Sequence, residues 1–541
     1  VVVGAGVMVL RAGWVGVVRG GDLSAVAAEQ QERTFDQPAQ RGPVLDGNGA
    51  ELAFDRLTAT VTATPYLIGD PQEAARTLAP MLGIRPEELL PKLSGRGGYS
   101  LVAKDVDQSA ARRIRNERIA GIDVTDAYTR TLPQGRSAAQ LVGLVGEKGG
   151  IMGIEQQEDE ALTGRPGRRE VARDPFGRTL RTLHSKDPVP GGAVQLTVDA
   201  DIQRDVQRIL ATARERYDAK AVSAVVMDPT DGAIVAMATA PTFDPNDRSS
   251  FDPDLARNRP VTDTFEPGST FKLVTVAAAL EEKKVTPSTS IYVPPMLQVY
   301  DLKLKDAHEH GGETWTVTEI LERSSNIGTV RIAQMLGKDS AHTWMRRFGF
   351  GQKTGIDYPG EAAGDLPDVR DANRWTGVSI ANIPIGQGLT STQTQLARAY
   401  AVVANRGRLV TPHLVKRVGD RQIPHPVGDR VISTRTALQL DAMLRRVVSP
   451  QGTGEAARVD GYTVAGKTGT AEKVDEQTGT YSTSRYLASF VGYVPANRPR
   501  LVIAVSVDEP GDGNIFGGTV AAPVFEQIAA MSLLRLQIPP G

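Results

Sequence analysis

Two strand-forming regions at opposite ends of residues 191–541 constrain this fold more than any other feature of the sequence. Val194-Gln195-Leu196-Thr197-Val198 alternates apolar and polar residues, which places alternate side chains on opposite faces of a strand. Ala221–Asp228 and Gly232–Thr239 flank Asp228-Pro229-Thr230-Asp231-Gly232, which predicts a β-hairpin. Near the C-terminus, Ser489–Val494 and Leu501–Asp508 predict a second strand pair joined by a Pro-containing turn, and a helix-sized run follows from Ala522. Between these ends the texture is helical, beginning with Asp201 to Arg214. Strands at both ends with helices between them predict an α+β domain built on a mostly antiparallel sheet. No repeat of fixed period and no long low-complexity tract competes with that reading.

A chain of 541 residues predicts two or three domains. With 40% hydrophobic and 23% charged residues it has the composition of a globular protein with more than one core. Its 62 basic and 63 acidic residues nearly cancel, which argues against a polyanion-binding surface along the whole chain. It carries no nucleic-acid motif. Cysteine is absent, so disulfides, thiolate catalysis and cysteine-zinc sites are excluded. Nothing in the sequence implies a metal or another cofactor.

Residues 1–19 open on Val-Val-Val-Gly-Ala-Gly-Val-Met-Val-Leu before Arg11 and Trp14. A run this short does not span a hydrocarbon core, which needs roughly 20 apolar residues. It reads as a buried helix, the end of a signal sequence or, the preferred reading, the outer end of a truncated transmembrane anchor with Arg11 and Trp14 at the interface. Leu23 to Arg33 predicts a polar helix, and Arg41–Gly49 a short strand entering a tight Asn-Gly turn. Residues 72–116 predict helical pieces started at Asp70-Pro71 and Arg85-Pro86. Residues 130–170 are punctuated by glycines, and the cluster Pro188, Pro190, Gly191, Gly192 marks a domain boundary. The expected division is therefore an anchor over 1–19, an N-terminal domain over 20–190 and a larger domain over 191–541.

Three short motifs carry chemistry: Ser269-Thr270-Phe271-Lys272, Ser324-Ser325-Asn326 and Lys467-Thr468-Gly469-Thr470. Ser269 and Lys272 share one face of a helix at spacing i, i+3. Pro267-Gly268 before them predicts that Ser269 sits at the helix N-terminus, near the positive end of its dipole. A serine hydroxyl needs an adjacent base, and Lys272 can serve only with a depressed pKa, from burial or from a second cation such as Lys467. A lone Ser-x-x-Lys arises by chance roughly once or twice in a chain this long. Order and spacing, 55 residues from Ser269 to Ser324 and 143 from Ser324 to Lys467, are far more specific. A second Lys-Thr-Gly at Lys353-Thr354-Gly355 follows a Gly-rich stretch and reads as a structural loop, so the later copy is preferred. His308 and His310 lack metal-ligand spacing and read as a solvated loop, and Asp371, Asn373 and Arg374 as surface.

The motif triplet resembles the penicilloyl serine transferase superfamily. Phe265-Glu266-Pro267-Gly268 before the nucleophile, Ile385–Thr392 and Ala404-Asn405-Arg406-Gly407 look like segments of class B penicillin-binding proteins. Arg41-Gly42-x-x-x-Asp46 and Gly143–Gly153 with Ile154-Glu155 resemble that family's pedestal, or dimerisation, domain. Where the family usually has Asp-Arg-x-Gly, this chain has Asp46-Gly47-Asn48-Gly49, which removes one arm of a local salt bridge.

The resemblance implies a pedestal domain followed by a penicillin-binding transpeptidase domain with a central antiparallel sheet flanked by helices. It implies that Ser269 attacks the penultimate D-alanine of a peptidoglycan stem peptide and that Lys272 takes its proton. Ser324 relays a proton to the leaving group, and Asn326 holds the substrate amide. Lys467 supplies positive potential, Thr468, Gly469 and Thr470 bind substrate, and the Ser269 and Thr470 N–H groups form an oxyanion hole. It implies as substrates the stem peptides on glycan made from a lipid-linked precursor, and β-lactam antibiotics as inhibitors. Phe348–Asp357 and Phe516–Phe525 look like division-specific, FtsI-like members, which implies a membrane-anchored enzyme with its catalytic domain outside the cell membrane, an FtsW-like glycosyltransferase and other division proteins.

The alternatives are an elongation-type member, a serine β-lactamase or D,D-carboxypeptidase, and a non-catalytic β-lactam sensor or scaffold. Glu361-Ala362-Ala363-Gly364-Asp365 does not match the Glu-x-x-Leu-Asn segment of class A β-lactamases, and signalling segments are absent.

Overall fold

The structure is a computed structural model. It describes residues 6, 8, 11, 13, 14, 32–173, 179–247, 249, 251–475, 478–511 and 513–540. Most of the expected anchor over 1–19 and all of Leu23–Gln31 lie outside the described residues. Among the described residues no helix is long and apolar enough to cross a membrane. The helix expected to run to Arg33 does not do so, because Glu32–Gln37 is a strand, β1. Its antiparallel partner, Gly167–Arg173, sets Arg168 opposite Asp36, a long-range pairing that overrides local pattern.

The chain divides into two compact units, the first holding Val1–Pro43, Ala53–Thr131 and Glu160–Ala193, the second Val44–Leu52, Leu132–Asp159 and Val194–Gly541. In the first, strand β2 (Glu51–Ala63), which belongs to this unit from Ala53 onward, is flanked by antiparallel strands on both sides. Helix α1 (Pro71–Leu82) starts where Asp70 caps the N–H groups of Gln72 and Glu73, with Pro71 pre-set for the first turn. Helix α2 (Pro86–Leu93) and α3 (Gln108–Glu117) follow, but the segment between them is a strand, β3 (Ser100–Asp107). The expectation of helical pieces throughout 72–116 is corrected there. Val102 and Val106 are β3's buried residues, and they join Leu78, Leu89, Leu93 and Ile114 in one core. Strand β4 (Ile122–Thr131) closes the sheet on the other side of β2. Arg130 of β4 meets Asp55 of β2 at 3.2 Å, with both side chains buried.

In the second unit, Asp199 caps helix α4 (Ala200–Arg216). The predicted hairpin is β5 (Ala221–Met227) and β6 (Ile234–Ala240). With β7 (Ala465–Val474), β8 (Tyr481–Val494) and β9 (Leu501–Asp508) it forms a five-stranded antiparallel sheet in the order β6-β5-β9-β8-β7. The fold class is therefore the one expected, α+β with helices on an antiparallel sheet.

Alternation divides the faces of that sheet. Val222, Ala224 and Val226 join a core with Ile202 and Leu210 of α4. Ser223, of opposite parity, hydrogen-bonds Gln393 at 2.7 Å. Gln393 begins a helix, Gln393–Ala404, opened by a capping box between Thr392 and Gln395.

The last helix, Gly517–Arg535, begins five residues before the expected Ala522. Its first turn is glycine because a Cβ at Gly517 would stand 2.3 Å from the carbonyl oxygens of Gly469 and Ser489. Close approach to the sheet thus gives a helix start the composition of a loop. The Asp46 carboxylate, lacking the family's arginine, accepts instead from the N–H groups of Asn48, Ala50 and Ala200 at 2.7–3.1 Å.

Candidate active site

Ser269 lies in a 3-10 turn, Gly268–Phe271, that runs directly into helix α5 (Lys272–Glu281). The turn is held from two sides. Gly268 N–H donates to the Gly386 carbonyl at 3.0 Å, and Tyr400 O–H to the Thr270 carbonyl at 2.9 Å. Gly386 has φ +90°, and a Cβ there would lie 2.1 Å from the Gly268 carbonyl oxygen, so no other residue fits behind the turn.

Lys272 is wholly buried one turn on. Its Nζ donates to the Ser324 carbonyl at 2.6 Å and to Asn326 Oδ1 at 2.7 Å, with Ser324 Oγ at 3.3 Å. Ser324 can present both oxygens because it has φ +60°, a left-handed conformation in which a side-chain-bearing residue is strained. It stands in the sharp turn between helix α6 (Val317–Glu322) and helix α7 (Asn326–Leu336). Ser325 caps α7 through Gly328 N–H at 2.9 Å.

Burial pulls the Lys272 amine down to about 7, against the opposing pull of the Asp306 carboxylate. Lys467, on edge strand β7, is equally buried. Desolvation, and then the charge of Lys272, hold it well below the usual lysine range. Two buried ammonium groups side by side strongly disfavour double protonation. Lys467 Nζ donates to the Thr468 carbonyl and Oγ1, both at 3.2 Å, and Thr468 Oγ1 lies 2.8 Å from Thr453 Oγ1. Thr470 Oγ1 accepts from Gly517 N–H at 3.2 Å.

A cavity of about 840 Å³ opens over this assembly, lined by Ser269, Ser324, Asn326, Thr468, Gly469 and Thr470 among others. Lys272 and Lys467 lie buried beneath it. All eight residues singled out in the three motifs thus meet at one place.

Other residues of the site were not singled out in the sequence. Asp306 accepts from Ser325 Oγ at 2.7 Å and Ile327 N–H at 3.0 Å, and its Oδ2 lies 3.2 Å from His310 Nε2. It therefore fixes the turn that carries Ser324 and Asn326. The reading of His310 as part of a solvated loop is corrected: its ring is 7% exposed, drawn in by Asp306 and set 4.8 Å from the Trp315 ring. His308 is exposed and lines the cavity. Among the described residues no group of His, Cys, Asp or Glu has the arrangement of a metal site.

The second Lys-Thr-Gly lies in a loop outside this cavity, as expected. It is Thr354 that holds this loop, through Glu361 Oε1, which accepts its N–H at 2.6 Å; Lys353 is exposed. Glu361 also accepts from Gly355 N–H, so its carboxylate is committed away from the nucleophile. Arg374 pairs with Asp365 at the surface.

Residues 222–530 match the family described as Penicillin binding protein transpeptidase domain, and residues 36–196 that described as Penicillin-binding Protein dimerisation domain. Penicillin-binding protein PbpB of Mycolicibacterium smegmatis is 35% identical over 97% of this chain and 87% of its own length. Peptidoglycan D,D-transpeptidase FtsI of Escherichia coli is 31% identical over 97% and 87%. The crystal structure of Penicillin binding protein 3 from Mycobacterium tuberculosis, complexed with aztreonam, superposes with a TM-score of 0.74 at 32% identity, covering 94% of this chain and 98% of that one. With both domains matched in order and relatives similar along nearly the whole length, the chain belongs to the class B penicillin-binding protein transpeptidases.

Proposed function

We propose that this peptidoglycan D,D-transpeptidase uses Ser269 as its nucleophile and Lys272 as the base that activates it. The observation that carries this reading is a wholly buried Lys272 with a pKa of about 7, three residues from a serine that lines the cavity. A lysine so placed is substantially neutral at neutral pH and able to accept a proton. Ser269 attacks the carbonyl of the penultimate D-alanine of a stem peptide, its proton passes to Lys272, and the tetrahedral oxyanion is met by the N–H groups of Ser269 and Thr470. Ser324 passes the proton on to the departing D-alanine nitrogen. Asn326 turns its amide from Lys272 toward the substrate backbone, and Thr468 and Thr470 bind the terminal carboxylate, with Lys467 orienting Thr468. An amine of a neighbouring stem peptide then resolves the acyl-enzyme and completes the cross-link. β-Lactams enter the same cavity and stall at the acyl stage.

The setting we propose is septal wall synthesis on the outer face of the cell membrane, on glycan polymerised by an FtsW-like partner. The FtsI-like segments Phe348–Asp357 and Phe516–Phe525, and the apolar character of residues 1–10, support it. Labelling with fluorescent penicillin tests the nucleophile: Ser269→Ala abolishes it while the protein stays folded, and mass spectrometry maps the wild-type adduct to the Ser269 peptide. Labelling that survives the substitution overturns the assignment, and rapid turnover of penicillin points to a β-lactamase instead.

A further inference from the structure

The acceptor's position follows from the chemistry of the acyl-enzyme. Acylation of Ser269 expels an amine, and transpeptidation runs that step backwards with a different amine. By microscopic reversibility, the attacking nitrogen occupies the place the leaving nitrogen vacated. On the reading above, that place is beside Ser324, so the acceptor chain extends from the Ser324 side of the cavity.

A second cavity, of about 310 Å³, opens on that side. It shares His308, Arg323 and Thr453 with the nucleophile cavity but reaches neither Ser269 nor Thr470. Trp315 is buried, and its indole N–H donates to Glu313 at 2.8 Å. The Arg323 guanidinium lies over the Trp315 ring, 5.1 Å from its centroid. Arg323 ends α6 and directly precedes Ser324, so the turn that aims Ser324 also fixes the root of the arginine.

The acids around Arg323 are engaged by other groups, although the charge of Arg323 still reaches Glu319 and helps lower its pKa. Asp306 holds Ser325, Ile327 and His310, Glu313 holds Trp315, and Glu319 closes the capping box on Thr316. Glu309 is exposed. Among the described residues no carboxylate lies within ion-pair distance of Arg323. A guanidinium over an indole face still has N–H donors to offer, and these can bind a carboxylate through two parallel hydrogen bonds.

We propose that this second cavity is the acceptor subsite, in which Arg323 binds a carboxylate of the incoming peptide. The inference rests on Ser269 as nucleophile and names the substrate recognised at the second step. The carboxylate could sit on the residue that bears the attacking amine or elsewhere in the peptide, and the test separates the two.

Aminolysis of the acyl-enzyme, formed by the purified chain from a D-alanyl thioester donor, is measured with soluble acceptor peptides. One acceptor has every carboxylate free, one has the carboxylate of the amine-bearing residue amidated, one has the others amidated, and one has all amidated. Arg323→Gln raises the KM for the free acceptor about tenfold, the size of one lost charge-assisted pair, with kcat and the donor KM little changed. Arg323→Lys recovers part of the loss. The amidation that makes wild type and Arg323→Gln equal identifies the carboxylate. An unchanged acceptor KM, an equal rise for the fully amidated acceptor, a rise in the donor KM instead, or no aminolysis by the wild type overturns the assignment. Acylation by benzylpenicillin is followed in parallel: its failure in the wild-type chain would count against Ser269, not Arg323.

Discussion

Lys272 Nζ lies 2.7 Å from Asn326 Oδ1, and this contact ties the base we propose to the motif we propose as the receiver of the substrate amide. Together with the two Ser324 oxygens, Asn326 gives Lys272 three acceptors, one for each proton of an ammonium group. Desolvation nonetheless wins and brings the pKa to about 7. Deprotonation frees a lone pair for the serine proton and releases one acceptor.

The first prediction is a pH profile. The second-order rate of acylation by benzylpenicillin rises with pH through a midpoint near 7. The same shift has a stability sign. Lys272 binds its proton more weakly in the folded chain, so the unfolded state holds more protons between about 7 and 10.5, and stability rises with pH across that window. Stopped-flow acylation and denaturant titration at several pH values check both, and a rate that stays flat across neutral pH would refute Lys272 as the base.

Asp306→Asn separates positioning from charge. The carboxylate anchors Ser325 and Ile327, and its charge raises the Lys272 pKa against burial. The substitution therefore lowers the maximal acylation rate and moves the midpoint of the profile to lower pH. It also costs about 1–3 kcal/mol of stability, as for a hydrogen bond to a buried charged group. A midpoint that stays put, or moves up, removes Asp306 from the electrostatics of the base.

The motif triplet was legible because its chemistry is local: a serine and lysine one helical turn apart, and a Lys-Thr-Gly on a strand edge. The sheet was legible because Ala221–Met227 and Leu501–Asp508 carry continuous strand-forming runs. Asp306 and Arg323 were not, since each acts across space or on the next turn, and Gly386 was legible as part of a family segment but not as the residue packed behind the Ser269 turn. Ser100–Asp107 was missed because a strand buried only at Val102 and Val106 looks, between two helices, like more helix. Glu32 and Arg33 went the same way, their strand being set by a partner more than a hundred residues later.

Asp55→Ala tests the first unit. Asp55 takes the Arg41 N–H at 2.7 Å and Arg130 Nη1 at 3.2 Å, with both bridge side chains less than 10% exposed. Breaking a buried ion pair by removing one partner costs ~3–5 kcal/mol, against ~0–1 kcal/mol for an exposed pair. Asp55→Asn keeps the shape and half of the hydrogen bonding, so its loss is smaller. Denaturant unfolding followed by a probe within residues 53–131 reads both, and a loss of surface-pair size for Asp55→Ala would mean the bridge is solvated.

The two Lys-Thr-Gly copies give the sharpest comparison, because the tripeptides are identical and only their surroundings differ. Lys467 is wholly buried, donates to Thr468, and lies close enough to Lys272 for the two charges to oppose each other. Lys353 is exposed in a loop that Thr354 and Glu361 hold without it. Lys467→Ala therefore removes the group that orients Thr468 and opens a void beneath the cavity. The acylation rate falls by at least about a hundredfold, comparable to loss of a preorganised donor in other acyl-transfer sites. Lys353→Ala leaves the rate within about twofold and stability within about 0.5 kcal/mol, as for an ordinary surface substitution. Penicillin acylation rates for the two variants, read across pH, check this; equal losses, or a larger loss at Lys353, would reverse the choice between the copies.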